Sequence, residues 1–194
     1  MVTKIIKIAV CGLIFSGCYY LGTGLWIPVK AALAQHLLKE VWHRSNIIQS
    51  DVKPWPWADT WPVGRLQNRR LGVDHIILEG DSGEVLAFGP GHLVMSSPPG
   101  GEGHCILAGH RDTSFSFLRN LAAGDLLTLE GRGNRRVYRV ERTDIVEAGQ
   151  LYLDADQAGL LTLITCYPFD AITPGTDLRF VVTARVDQTG SQSG

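Results

Sequence analysis

The sequence predicts an all-β domain of barrel or sandwich type, carried behind an N-terminal transmembrane helix. Three observations lead there. Beyond Gly64 the chain breaks into short β-rich runs, each bounded by glycine-containing turns. No further long amphipathic helix follows that point. Ahead of it, Ile8–Val29 is an apolar run with no charged residue. With 194 residues, 45% of them hydrophobic and 19% charged, the chain has room for one core and its accessory segments.

The apolar run is 22 residues long. As a helix it spans about 33 Å, enough for a hydrocarbon core of about 30 Å. A cleaved signal peptide is the competing reading, because Ala32-Leu33-Ala34 has the small-x-small form of a cleavage site; Lys30 and the length of the run argue against it. Phe15-Ser16-Gly17-Cys18 suggests a lipoprotein signal, yet apolar residues continue past Cys18. Lys4 and Lys7 on one side oppose Lys30, Lys39 and Arg44 on the other, so flanking charge does not set the orientation.

Residues 31–63 form a connecting region. Ala34, Leu37, Leu38, Val41, Trp42 and Ile48 recur at helical spacing and predict an amphipathic stalk helix. His36 and His43 on it have no third ligand nearby, so they read as solvated surface residues. In Lys53-Pro54-Trp55-Pro56-Trp57 and Trp61-Pro62, prolines forbid regular helix and tryptophans make solvation costly. The segment is expected to lie on the following domain as a strap or to border a peptide groove.

In the domain at 64–186, the candidate strands are Val73–Glu79, Glu84–Phe88, His104–His110, Leu126–Glu130, Arg136–Glu141, Leu160–Cys166 and Leu178–Val186. Turns fall at Asp81-Ser82-Gly83 and Gly131–Asn134, and a short helix is expected at Ser114–Leu121 behind an Asp112 or Thr113 cap. The Gly/Ser/Gln-rich tail, 187–194, is expected to be disordered.

Charge and cysteine usage exclude two classes. The 18 Lys+Arg nearly cancel the 19 Asp+Glu, which leaves no field to hold nucleic acid. Of four cysteines, Cys11 and Cys18 lie in the apolar run, so Cys105 and Cys166 alone belong to the folded part and no disulfide scaffold is built.

Cys166 ends the run Leu160–Cys166 and precedes Tyr167-Pro168, which places a thiol at a strand end, held by a sheet yet open to substrate. A free cysteine alone is a weak signal, since many are buried and inert. His110 ends a second run and can supply the base that raises the thiolate fraction at neutral pH. Asp112 is a candidate to orient the imidazole, with helix capping the competing role. Alternation along the last strand puts Arg179 opposite Leu178 and Phe180, facing out of the core. A zinc site from His104, Cys105, His110 and Cys166 fails on geometry: His104 and His110 lie about 20 Å apart along an extended strand, and Cys105 points to the other face. Pro98–Gly103 lacks the lysine and helix of a phosphate loop and reads as a plain turn.

Together these residues resemble the sortases. Thr162-Leu163-Ile164-Thr165-Cys166 is similar to their TLxTC motif, Gly109-His110-Arg111 to their histidine segment, and Leu178-Arg179-Phe180 to their arginine strand, in the same order. The anchor and Trp/Pro segment resemble the Gram-negative subgroup, often paired with one dedicated target protein. The resemblance implies an eight-stranded sortase-type β-barrel with one or two short helices over 64–186, and catalysis by Cys166, His110 and Arg179. Thr162, Thr165 and Arg111 are then candidate substrate-binding residues. It further implies cleavage of an LPXTG-like sorting signal between Thr and Gly, with transfer of the acyl group through a thioacyl-enzyme to an amine. The expected location is the inner membrane, with the domain in the periplasm. No cofactor is expected, and no metal, because the acidic loop clusters of calcium-binding sortases have no match in this sequence. Two rivals keep the fold and change the role: a non-catalytic tethered domain binding an extended peptide, and a cysteine protease using water as acceptor.

Overall fold

The computed structural model describes residues 34–45, 47–48, 50–154, 157–171 and 175–187, together with the helical residues 7, 12–14, 16–17 and 20. Most of the Ile8–Val29 run, and the tail beyond Asp187, lie outside the described residues. Among the described residues no helix is long and apolar enough to cross a membrane.

Eight strands close into one barrel. In chain order they are β1 (Pro62–Asn68), β2 (Val73–Glu79), β3 (Gly91–His92), β4 (His104–Ala108), β5 (Leu126–Glu130), β6 (Arg135–Glu147), β7 (Leu160–Tyr167) and β8 (Leu178–Val186). The spatial order is β1-β2-β3-β4-β7-β8-β6-β5, with β1 returning to β5. Closure removes the sheet edges that a sandwich would leave, and decides between the two architectures left open by strand count. The pairs β2–β3 and β4–β7 are parallel.

The period of two sorts the side chains. Cys105 and Leu107 of β4, Leu161 and Leu163 of β7, and Val182 and Ala184 of β8 point inward, where they meet Leu66, Leu129 and Tyr138. The intervening residues face outward, and on β7 and β8 these include Thr162, Cys166, Arg179 and Thr183.

Residues 34–45 are helical (α1) and lie on the outside of the barrel. Leu38 and Trp42 pack on Ile76 and Leu78 of β2 and on Val85. Lys39 Nζ bonds Asp74 Oδ2 at 2.9 Å, and Gln35 Nε2 donates to the Phe88 carbonyl at 2.6 Å. Arg65 also engages Asp74, and these cations hold the Asp74 carboxyl well below the usual carboxylate range. The apolar stripe is narrower than expected, since Ala34, Leu38 and Trp42 are buried while Leu37 and Ile48 are exposed. His36 and His43 face solvent. The Trp/Pro segment lies on the barrel as a strap: Trp55 packs edge-on against Phe88, and Thr60 Oγ1 donates to the Glu79 carbonyl at 2.7 Å.

Several predicted elements differ. The candidate strand Glu84–Phe88 is instead a short helix, α2 (Gly83–Leu86), because the Ser82 side chain caps the Val85 N–H and turns the chain into a helical start. β1 is not among the predicted strands; Leu66 is its one fully buried core side chain, Val63 packs against the core only in part, and Arg65, Gln67 and Asn68 complete the strand, so no alternation advertises it. β3 is two residues long and leaves no pattern at all. It fits only because Gly91 has no side chain, since a Cβ there would lie 2.1 Å from the Gly80 carbonyl oxygen. β6 runs on to Glu147 past an irregularity between Val140 and Arg142, carrying polar residues that pair with β8. The Ser114–Leu121 helix is reduced to a 3-10 turn, Ser116–Asn120, whose N-cap is Phe115 with no side-chain capping bond, so neither Asp112 nor Thr113 caps it. A second 3-10 turn spans Ala148–Gln150.

Candidate active site

The antiparallel register of β7 and β8 sets Cys166 directly opposite Arg179. Both are on the outward face, so their side chains project from the barrel wall side by side. The chain leaves β7 at Tyr167, one residue later than expected. Tyr167, Phe169 and Phe180 form an aromatic cluster beneath this corner, with ring centroids 5.1–6.3 Å apart. Arg119 stacks on Phe169 and pairs with Asp170, which fastens the turn following Cys166.

His110 reaches the same corner from β4. Ala108 pairs with Ile164, the Gly109 N–H donates to the Ile164 carbonyl at 3.2 Å, and Thr165 Oγ1 donates to the Gly109 carbonyl at 2.7 Å. Gly109 is thus held against Ile164 and Thr165, the residue before His110 beside the residue before Cys166. The strand itself stops at Ala108, two residues before His110, and the backbone then turns so that the Phe115 N–H donates to the His110 carbonyl at 2.9 Å. That turn requires glycine at 109: a Cβ would meet the buried Phe115 ring at 2.7 Å. The His110 side chain is thus left exposed at the rim. Among the described residues no hydrogen bond joins Asp112 to His110.

Arg179 is held as well. Its Nη1 donates to the Thr176 carbonyl at 2.5 Å and to the Leu178 carbonyl at 3.0 Å. A guanidinium has five N–H donors, so these bonds orient the fork and leave donors for a substrate. Arg111 bridges to the same connection, donating to the Ala171 carbonyl at 3.0 Å and to Thr176 Oγ1 at 3.4 Å. It ties the segment carrying His110 to the loop between Cys166 and Arg179.

A groove of about 590 Å³ opens along the outer face of β6, β7 and β8, beneath the connection that follows β6. Thr162 and Val181 are on its floor, and Leu151 and Leu153 hang from the connection. Val146, another lining residue, pairs with Arg179, whereas Cys166, Arg179 and His110 themselves lie outside the groove's lining.

The structure therefore brings Cys166, His110 and Arg179 to one corner and Thr162 into the adjoining groove. Thr165 is buried in the β4–β7 joint with its hydroxyl on Gly109. Cys105 is fully buried in the core, where burial, reinforced by Glu79, pushes its thiol well above the ordinary range. The two ring nitrogens of His104 are taken up by Thr162 and the Asp154 carbonyl. No local pattern reveals such a contact, because the partners are 58 and 50 residues away. Among the described residues no three His, Cys, Asp or Glu side chains cluster as a metal site.

Comparison with known proteins locates the same region. A family model described as a sortase domain matches residues 66–187. Sortase D of Bacillus subtilis (strain 168) is 31% identical over 118 residues, a stretch covering 56% of this chain and 56% of that protein. The chain thus spans little more than half the length of that curated relative. Among solved structures, a lid mutant of Streptococcus agalactiae sortase C1 superposes with a TM-score of 0.58 at 26% identity, over 68% of this chain and 72% of that one. Listeria monocytogenes sortase A superposes with a TM-score of 0.57 at 25% identity, over 66% and 88% respectively.

Proposed function

Because the chain belongs to the sortase family, we propose that it is a membrane-anchored cysteine transpeptidase of the Gram-negative subgroup, acting on the LPXTG-like sorting signal of one dedicated target. The observation that carries this reading is the register that sets Cys166 opposite Arg179, with Gly109, the neighbour of His110, bonded to Ile164 and Thr165 just before Cys166. A thiol, an imidazole and a guanidinium at one end of the barrel, with a groove of about 590 Å³ on the neighbouring outer face, supply the nucleophile, acid/base and oxyanion donor that acyl transfer needs.

In the proposed reaction the Cys166 thiolate attacks the threonyl carbonyl, forming the C–S bond and driving an electron pair onto the oxygen. Arg179 donates hydrogen bonds to that oxygen. Collapse of the adduct breaks the Thr–Gly C–N bond, and His110 gives its proton to the departing amine. An incoming amine then attacks the thioester, His110 takes its proton, and the thiolate leaves. Water in place of the amine yields hydrolysis through the same acyl-enzyme.

Incubating the chain with an LPXTG-like peptide and a small amine should give an acyl adduct on Cys166, then a product ending in Thr joined to the amine, both read by mass spectrometry. A folded protein that leaves the peptide intact and carries no adduct on Cys166 would refute the transpeptidase.

The proposed location is the inner membrane, with the barrel in the periplasm; the length and apolarity of Ile8–Val29 support it. A topology reporter joined after Gly194 should be active only in the periplasm, and the protein should sediment with membranes. Cytoplasmic reporter activity, or release of the protein into the soluble fraction, would overturn the assignment.

A further inference from the structure

His104 opens β4 on the outward face, yet only 2% of it is exposed. An imidazole on the outside of a barrel is hidden only if something covers it, and its partners identify the cover. Its Nδ1 lies 2.6 Å from the Asp154 carbonyl oxygen, in the connection between β6 and β7. Its Nε2 lies 2.8 Å from Thr162 Oγ1, on β7. A carbonyl oxygen can only accept, so Nδ1 carries the hydrogen and donates it. In the uncharged ring Nε2 then accepts, and the Thr162 hydroxyl donates to it. One ring thus joins the groove floor to the segment lying over it.

The connection is tied at its ends by backbone bonds, Ala148 N–H to the Asp177 carbonyl (2.7 Å) and Gly159 N–H to the Glu102 carbonyl (2.7 Å). His104 reaches its middle. Leu151 and Leu153, immediately before Asp154, line the groove together with Thr162, so the bond from His104 falls next to the residues that form that wall.

We propose that His104 is a positioning residue: it clasps the β6–β7 connection onto β7 and so sets the width of the groove, and thereby how tightly a peptide binds, without touching the reacting atoms. The peptide part of this inference rests on the function proposed above. Because the clasp is some distance along the strand from Cys166, about 13 Å for the four residues separating Thr162 from Cys166, its loss should act on binding rather than on chemistry.

The test uses the whole chain in detergent, with His104→Phe, which fills the site without hydrogen bonds, and Thr162→Val, which removes only the floor partner. Amide hydrogen exchange is measured without peptide, KM and kcat with it, and Cys166 reactivity with iodoacetamide. In His104→Phe, exchange across 151–154 should quicken by about tenfold or more. KM should rise by about tenfold with kcat and alkylation within about threefold, the pattern of lost ground-state binding. Thr162→Val should shift exchange and KM in the same direction by less. Unchanged exchange and KM in folded His104→Phe would overturn the clasp, as would a fall in kcat at constant KM. Should His104→Phe fail to fold, unchanged exchange and KM in Thr162→Val overturn it equally. If the wild-type chain turns over no peptide, the proposed function falls, while the clasp is still judged by exchange alone.

Discussion

Cys166→Ala should abolish acyl-enzyme formation, lowering peptide turnover on the order of 10⁴-fold or more, because no other group at that corner can form the thioester. The fold should survive: Cys166 is a half-buried side chain at a strand end, and its loss should leave Tm within about 3 °C. Cys105→Ala should do the reverse. Its thiol is fully buried in the core cluster to which Leu66, Leu107 and Tyr138 also belong, and burial holds it protonated, so it has neither access nor thiolate character. Its replacement should cost about 1 kcal/mol of stability, within the usual range for core truncation, while turnover of the folded protein stays within about twofold. Thermal melts and adduct mass spectrometry on both variants separate the roles. A Cys166→Ala protein that still forms an adduct with peptide, or a folded Cys105→Ala protein that forms none, would reverse the assignment.

These two cysteines also mark what the sequence made legible. The period of two along β4 is enough to turn Cys105 away from His104, the end of the run in β7 is enough to expose Cys166, and strands with several apolar residues, such as β2, β5, β7 and β8, declare themselves by those runs. Elements whose stability comes from neighbours are silent. β1 has one core leucine and is held by pairing with β2 and β5; β3 is a two-residue bridge; α2 hides behind a β-like Val-Leu composition and is revealed only by the Ser82 cap. The site was legible to a similar degree. Cys166 and His110 end apolar runs and Arg179 follows the first residue of the last strand, signals that are weak singly and that form a candidate site only through the resemblance to the sortases, while the groove depends on the connection between β6 and β7, which His104 contacts in a way that no local pattern encodes.

Arg179→Ala should reduce acylation by about 100- to 1000-fold, the usual cost of one well-placed oxyanion donor. In the proposed reaction attack by Cys166 creates negative charge on a carbonyl oxygen, and Arg179 is the cation that strand register sets opposite Cys166. The guanidinium is already anchored on the Thr176 and Leu178 carbonyls, so little reorganisation is needed when that charge appears. Arg179→Lys should recover only part of the loss, since a flexible ammonium cannot hold two backbone carbonyls and a substrate oxygen in one planar fork. The same anchoring raises a competing role, in which Arg179 merely fastens the loop before β8. The two roles differ in chemistry. Alkylation of Cys166 by iodoacetamide passes through no oxyanion, so an oxyanion donor can be removed with alkylation changed by less than about tenfold while peptide acylation collapses. A loop fastener has no reason to discriminate, and its loss should slow both reactions together or neither. Stopped-time acylation on an LPXTG-like peptide, run beside iodoacetamide labelling and a thermal melt, distinguishes them. Near wild-type acylation by a folded Arg179→Ala protein would remove Arg179 from the reaction and leave Arg111, which bridges from the residue after His110 to Thr176, as the cation to test next.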